Sequence, residues 1–225
     1  MYLHRRLAKL TYTDAQGNSM PYRLLKPKRY LSARKYPLVV FLHGSEERGT
    51  DNDTPIQIRK GAYEFVATAK TYSYFMLIPQ CPSGMEWSGK PIRLVFELIQ
   101  KVYQDFSIDP DRIYAVGLSM GAMGMWELVI RQPETFAAGI SVCGWHSTNQ
   151  MAKIKNIPFL VFHGTRDQAV PVKGSRKLVQ ALQEIGGRVE YIEYQGADHF
   201  IWEKTFTDHD VIDWLFKQSK GGAHE

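Results

Sequence analysis

The feature that most constrains the fold is an alternation of short apolar segments with segments of helical spacing. Six segments have the length and composition of strands, and they are Leu38–Leu42, Phe75–Ile78, Ile113–Val116, Ala138–Val142, Phe159–Phe162 and Val189–Tyr194. The first five are largely apolar, as strands covered on both faces must be, whereas the sixth alternates and is expected nearer a sheet edge. Between them, apolar residues recur every three or four positions, as at Leu94, Leu98 and Val102. This alternation predicts crossover connections and a mostly parallel sheet.

The N-terminal part of the chain has a different pattern. Two segments around Leu7–Tyr12 and Tyr22–Leu25 alternate, and the Gly17-Asn18 pair between them is typical of a tight turn, which predicts an antiparallel hairpin. The 225 residues allow one domain to bury most of its apolar surface and would be cramped for two. We therefore expect one α/β domain over residues 1–225, with a mostly parallel central sheet, an antiparallel N-terminal hairpin and helices on both faces.

Composition excludes several kinds of partner. The net charge is +5, but the basic residues are scattered, and the densest groups, His4–Lys9 and Lys26–Arg29, are too short to form the contiguous basic surface that binds nucleic acid. The apolar runs are too short to span a bilayer, and no apolar segment follows the charged N-terminus as in a signal peptide. Two cysteines, Cys81 and Cys143, provide neither a disulfide framework nor a zinc set. We expect a cytoplasmic protein with no nucleic-acid or membrane partner, and the sequence leaves its oligomeric state open.

One strand is followed by a motif with a specific chemistry. Gly117-Leu118-Ser119-Met120-Gly121 lies between an apolar strand and an apolar helix, which is the context that a G-x-S-x-G turn requires. The serine of such a turn has a strained backbone, so the residues two positions away must be small. Its hydroxyl stands at the start of the helix, where the helix dipole favours negative charge. An inert serine in a glycine-rich turn is the alternative, but this context favours Ser119 as a nucleophile.

A serine hydroxyl needs a base to take its proton, and the base needs an acid partner to orient it. His199, in the loop after the last predicted strand, is the candidate base. Asp167, which follows the strand Phe159–Phe162, is the candidate acid, and the order serine, aspartate, histidine is the one expected in this fold. Asp198 is an alternative acid, but a sequence neighbour of the histidine rarely has the geometry to orient its ring.

Two backbone amides must hold the negative oxygen of a tetrahedral intermediate. The amide of Met120 is one candidate, and the amide of Ser45, in the loop after Leu38–Leu42, is the other. The acidic residues of that loop lack a calcium-binding pattern, so we expect a solvated loop in which Arg48 forms an internal ion pair. We expect no metal ion and no organic cofactor.

Several other side chains follow predicted strands. His43 and His163 both precede glycine, and we interpret them as structural histidines bonded to nearby backbone. Trp87, Trp145 and Trp202 are candidates for substrate contact, although packing is the alternative role for each.

These residues resemble the α/β-hydrolase superfamily, and within it the small bacterial carboxylesterases described as phospholipase/carboxylesterase or predicted peptidase. The resemblance lies in His43-Gly44, Glu47-Arg48-Gly49, Asp51-Asn52, Pro79-Gln80-Cys81-Pro82 with Trp87, Gly117–Gly121 with Trp126-Glu127, His163-Gly164 with Asp167, and His199 with Trp202. It implies Ser119, Asp167 and His199 as a catalytic triad. It also implies esterase activity on short acyl chains or on carbohydrate-linked acetyl or feruloyl groups.

Three details modify that expectation. The family usually has glycine where Glu46 stands, a difference that matters if the position needs a positive φ, and Glu46 could place a carboxylate at the pocket rim. The 12 residues of Trp145–Asn156 are too few for a cap domain, so we expect an open site. Two strands should separate Cys81 from Cys143, which places them about 14 Å apart and predicts free thiols.

The combined pattern predicts a serine carboxylic-ester hydrolase that forms an acyl-enzyme on small ester substrates. A serine peptidase with the same triad is one alternative. The other is a binding module that has kept the fold without turnover, because a fold does not specify a function.

Overall fold

The computed structural model describes residues 6–57 and 60–222. Its eight strands form one sheet in the order β1-β2-β4-β3-β5-β6-β7-β8. The strands are β1 Leu7–Thr13, β2 Ser19–Leu25, β3 Tyr36–Leu42, β4 Phe75–Pro79, β5 Ile108–Leu118, β6 Ala138–Val142, β7 Phe159–Gly164 and β8 Val189–Tyr194. Strands β3 to β8 are mutually parallel, whereas β2 is antiparallel to both β1 and β4. The predicted mostly parallel sheet with an N-terminal hairpin is confirmed.

Helices cover both faces of this sheet. They are α1 Ala62–Ala67, α2 Gly89–Asp105, α3 Met120–Arg131, α4 Val172–Glu184, α5 Trp202–Thr207 and α6 His209–Lys217. One buried cluster joins α2, α3 and α4 to Leu38 and Val40 of β3, and a second cluster joins α1, α5 and α6 to Val39 and Phe41. Successive residues of a strand point to opposite faces, so β3 must be apolar at every position to serve both clusters.

The hairpin turn forms for local reasons. Gly17 has a φ of 80°, which glycine adopts without steric cost. The carboxylate of Asp14 accepts hydrogen bonds from the amides of Gln16 and Asn18, at 2.9 and 2.7 Å. This Asx-type turn sets the register of β1 against β2.

Two further expectations concern loops and thiols. The connection between β6 and β7 contains a short 3₁₀ helix, Thr148–Lys153, and not a cap. Cys81 and Cys143 are free and buried, as predicted. Among the described helices, none has the length and apolar character needed to traverse a bilayer.

Candidate active site

Ser119 occupies a strained turn between β5 and α3. Its φ and ψ are 53° and −122°, a backbone conformation that residues with side chains rarely adopt. The space around the turn explains the two glycines. A Cβ atom on Gly121 would lie 1.9 Å from the carbonyl oxygen of Leu42, and one on Gly117 would lie 2.2 Å from the carbonyl oxygen of Gly121. Only glycine fits at either position, so the sequence motif has a direct steric cause.

The structure brings the three residues predicted as a catalytic triad together. The Nε2 atom of His199 is 2.9 Å from the Ser119 Oγ, and its Nδ1 atom is 2.6 Å from the Asp167 Oδ2. An ionised carboxylate can only accept a hydrogen bond, so Nδ1 carries a proton and donates a hydrogen bond to Asp167. In the neutral ring, Nε2 is then left to accept the hydroxyl proton of Ser119.

Asp167 is held as a buried anion. Its side chain is fully buried, and its Oδ1 accepts hydrogen bonds from the amides of Ala169 and Val170, at 2.9 and 2.8 Å. Burial by itself would raise the pKa of Asp167, but the hydrogen bonds from His199 and the Val170 amide outweigh it and lower the pKa below its ordinary value. The alternative acid, Asp198, instead accepts a hydrogen bond from the amide of Phe200.

A second imidazole contacts the same carboxylate. The Nε2 atom of His163 lies 3.1 Å from the Asp167 Oδ2 and 2.9 Å from the carbonyl oxygen of Val170. Its Nδ1 atom lies 2.6 Å from the Ser175 Oγ, and burial lowers the pKa of His163. The predicted backbone contact is present, but the sequence did not indicate that His163 also supports Asp167.

His43 has the structural role that was predicted for it. The Cys81 amide donates to its Nε2 at 3.0 Å, and its Nδ1 lies 2.6 Å from the carbonyl oxygen of Gly44. The ring is fully buried, and this burial lowers the pKa of His43 to about 4. His43 therefore braces the start of the loop that follows β3.

The two residues predicted to supply the oxyanion donors both line the cavity around Ser119. Met120 begins α3, and Ser45 begins a 3₁₀ helix, Ser45–Glu47. The first N–H groups of a helix have no acceptor within the helix, which is why these two amides are candidates for binding a negative oxygen. Both residues line the same cavity as Ser119 and His199.

The loop after β3 departs from the expectation in one respect. Arg48 was predicted to form an internal ion pair, but this is wrong for the described residues, because its Nε lies 3.2 Å from the Met120 Sδ and no described carboxylate pairs with it. Lys60 takes that place and contacts both Glu46 and Glu47, at 2.7 and 3.1 Å. Glu46 lies within the 3₁₀ helix without a positive φ, so the glycine usual in the family is not required here.

The cavity above Ser119 has a volume of about 340 Å³ and is open to solvent. Trp202 lies on one wall, with its ring centroid 5.5 Å from that of His199. Phe200 forms part of the rim and is 64% exposed. Neither the exposure nor the cavity position of Phe200 had a signal in the sequence.

Of the three tryptophans predicted to contact substrate, the structure brings only Trp202 to this cavity. Trp87 is buried, with its Nε1 donating to the carbonyl oxygen of His43 at 2.9 Å, and it lines a smaller adjacent cavity of about 150 Å³. Trp145 is 46% exposed and packs over Gly174. The sequence predicted the edge of the sheet near which all three tryptophans lie, because each follows a strand. It did not predict the direction in which each ring points.

Cys143 also lies beside the triad residues. Cys143, Asp167 and His199 each bring one potential ligand atom within 4.8 Å of the others. Burial raises the pKa of the Cys143 thiol, and its Sγ lies 3.4 Å from the carbonyl oxygen of His199. Because a metal ligand must be a thiolate, these features fit a hydrogen-bonded cluster better than a metal site.

The chain matches known proteins in both sequence and structure. It is 26% identical over 212 residues to the carboxylesterase SOBER1 of Arabidopsis thaliana, covering 82% of this chain and 92% of that relative. The crystal structure of a thermostable esterase superposes with a TM-score of 0.87 at 38% identity, covering 97% of this chain and 64% of that one. The feruloyl esterase module of Clostridium thermocellum, at 14% identity and a TM-score of 0.76, shares the fold and covers 98% of this chain and 91% of that one.

The family model described as Phospholipase/Carboxylesterase matches residues 89–215, more than half of the chain. This region contains the Ser119 turn, Asp167 and His199. Together with the eight-stranded sheet and its neighbours among solved esterases, the match shows that the chain belongs to the phospholipase/carboxylesterase family of α/β-hydrolases, a family of ester hydrolases.

Proposed function

We propose that this protein is a serine carboxylic-ester hydrolase that works through an acyl-enzyme, with Ser119, His199 and Asp167 as its catalytic triad. The observation that carries the proposal is the continuous hydrogen-bonded series from Asp167 through His199 to Ser119, at 2.6 and 2.9 Å, beside an open cavity. Nucleophile, base and orienting acid are all within the distances that this chemistry requires.

Acylation begins when the Oγ of Ser119 attacks the ester carbonyl carbon while Nε2 of His199 takes the hydroxyl proton. The amides of Met120 and Ser45 hold the oxyanion, and the buried carboxylate of Asp167 stabilises the imidazolium. The C–O bond to the alcohol then breaks, and His199 returns the proton to the departing oxygen. Water, deprotonated by His199, attacks the acyl-enzyme in the same way and releases the acid.

The proposed substrates are small esters with short acyl chains or with acetyl or feruloyl groups linked to carbohydrate. The volume of the cavity, its open rim and the aromatic surfaces of Trp202 and Phe200 support a compact or planar acyl group. The structural similarity to a feruloyl esterase module supports the same class. The proposed reaction requires no metal or organic cofactor, and we propose that residues 1–225 act as one catalytic domain.

Removal of the nucleophile tests the proposal. Ser119→Ala should lower kcat on p-nitrophenyl acetate by about 10⁴–10⁶-fold while the protein retains its circular dichroism spectrum and melting behaviour. Ser32→Ala, at an exposed serine that is distant from Ser119 along the chain, is the matched control and should keep wild-type activity. Nearly unchanged turnover by the Ser119→Ala variant would remove Ser119 from the mechanism.

Two further measurements separate the alternatives. Labelling of Ser119 by a fluorophosphonate probe is expected, and its failure in a folded protein that also lacks turnover would indicate a binding module. Comparison of ester and amide analogues of one acyl group addresses the peptidase alternative, and comparable cleavage of the amide would contradict an esterase.

A further inference from the structure

The carboxylate of the proposed triad is shared by two imidazoles, and the mechanism above uses one of them. The Oδ1 atom of Asp167 accepts from the amides of Ala169 and Val170, which leaves Oδ2 to the two rings. The Nδ1 atom of His199 is 2.6 Å from Oδ2, and the Nε2 atom of His163 is 3.1 Å from the same oxygen. Any hydrogen bond from His163 therefore acts on the atom that holds His199.

The surroundings of His163 determine which of its nitrogens carries a proton. The atoms that face Nε2 are the Asp167 Oδ2 and the carbonyl oxygen of Val170, at 2.9 Å, and both can only accept. The Ser175 hydroxyl lies 2.6 Å from Nδ1 and 2.6 Å from the carbonyl oxygen of Gly144, so the far side of the ring is also fixed. Burial lowers the pKa of His163, so at neutral pH the ring is neutral with its proton on Nε2.

Among the described residues, the other titratable groups around His163 add no net charge. Glu193 of β8 accepts two hydrogen bonds from Arg176 of α4, at 2.7 and 2.8 Å, so the two charges compensate each other. Burial raises the pKa of the Cys143 thiol, which therefore stays neutral. The side chains of His163 and Asp167 are both fully buried, so solvent does not weaken the contact between them.

We propose that His163 is a positioning residue whose Nε2–H holds the Asp167 Oδ2 in place and limits how strongly this oxygen stabilises the charged form of His199. The inference rests on the proposed triad and adds a residue that sets the pH range in which the triad works. A carboxylate that donates part of its negative charge to a second hydrogen bond attracts the first donor less strongly. Without His163, Asp167 would keep His199 protonated at higher pH, and a protonated ring cannot take the proton of Ser119.

Two amide substitutions that differ in reach test this role. His163→Asn keeps a polar group beside Ser175 but ends short of the position of Nε2, whereas His163→Gln places an N–H group near that position. The measurement is kcat/KM for p-nitrophenyl acetate as a function of pH. In His163→Asn the midpoint of the acid limb should rise by about 0.5–1 pH unit, part of the roughly one to two units that a hydrogen bond to a charged group is worth. In His163→Gln it should stay within about 0.3 unit of the wild-type midpoint.

His146→Gln is the matched control, because its imidazole pairs with Glu127 at 3.1 Å and not with the triad. Its acid limb should match that of the wild-type protein. If His163→Asn does not melt cooperatively, the wild-type protein provides a second measurement. Nitrogen-15 NMR of its histidine rings at neutral pH should show a proton on Nε2 of His163, with the resonance assigned by its loss in His163→Gln.

Three results would overturn the inference. An unchanged or lower midpoint in folded His163→Asn would do so even if stability or kcat fell, because a residue that only fills space has that effect. An equal rise in His163→Gln, which supplies the donor, would also contradict it, as would an unprotonated Nε2 in the wild-type protein. Failure of the proposed function is distinguishable, because it would appear as turnover that persists in Ser119→Ala whatever happens at His163.

Discussion

Gly164, the last residue of β7, lies directly against the loop that carries His199. A Cβ atom at Gly164 would lie 2.0 Å from the carbonyl oxygen of Asp198 and 2.6 Å from that of Ala197, both backbone atoms. Carbon and oxygen rarely approach closer than about 3.3 Å, so Gly164→Ala should displace this loop by roughly 1 Å. We therefore expect the substitution to act on catalysis through the position of His199.

The size of the effect follows from the two hydrogen bonds of His199. They are 2.9 Å to Ser119 and 2.6 Å to Asp167, so a shift of roughly 1 Å takes at least one of them beyond hydrogen-bond length. A misplacement of this size lowers kcat by about 10²-fold, and the steric overlap should destabilise the fold by about 1–3 kcal/mol. Activity on p-nitrophenyl acetate and the thermal midpoint measure the two effects.

Gly221→Ala is the control for introducing a methyl group on glycine. A Cβ atom there meets no heavy atom within 4 Å, and the position has no positive φ, so kcat and the thermal midpoint should match the wild-type values. If Gly164→Ala kept kcat within about 3-fold of wild type while remaining folded, the argument that His199 must stay within hydrogen-bond reach of Ser119 would be refuted.

The other predictions concern two carboxylates. Asp167→Asn should lower kcat by about 10⁴-fold, because an amide nitrogen facing His199 favours the wrong tautomer, and a loss of less than 10-fold would contradict the assigned role. Two hydrogen bonds from Arg176 lower the pKa of Glu193 to about 2. Since a lowered folded-state pKa stabilises the protein only while the group is ionised, the thermal midpoint should be steady near neutral pH and fall between pH 4 and 2. In Glu193→Gln, that part of the acid dependence should be absent.

The strands were predictable because a sheet covered on both faces leaves a strong compositional signal. The error lay at the ends of the elements. β5 begins at Ile108, five residues before its apolar core, because the polar segment that starts there still pairs with Tyr36 of β3 across a register shift. The helices α1 and α5 were not predicted, since six residues are too few for a helical period to stand out.

The site was predictable where its chemistry depends on local sequence. The turn at Ser119 needs glycine at fixed spacing, and the order of the triad residues follows from the order of the strands. Glu47 was not predictable in the same way, because its burial depends on Lys60, thirteen residues away, and on the ring of His43. The orientation of Trp145 likewise depends on a helix, α4, that is far along the chain. Interactions between distant segments, and not local propensity, decide these side chains.

The geometry of the nucleophile is held by the sheet itself. Ser119 and Cys143, with φ values of 53° and 52°, stand directly after the neighbouring strands β5 and β6. Each is bonded to the next strand along, the Ser119 amide to the carbonyl oxygen of Val142 and the Cys143 amide to that of Phe162, both at 2.8 Å. A backbone conformation of this kind costs about 1–3 kcal/mol per residue and persists only where surrounding interactions hold it in place. Here, relaxation of either turn would break a hydrogen bond between neighbouring strands. The hydroxyl of Ser119 therefore keeps its direction as long as β5, β6 and β7 stay paired. Substitutions at the exposed rim of the cavity should consequently affect substrate binding more than they affect the attack of Ser119 on the ester.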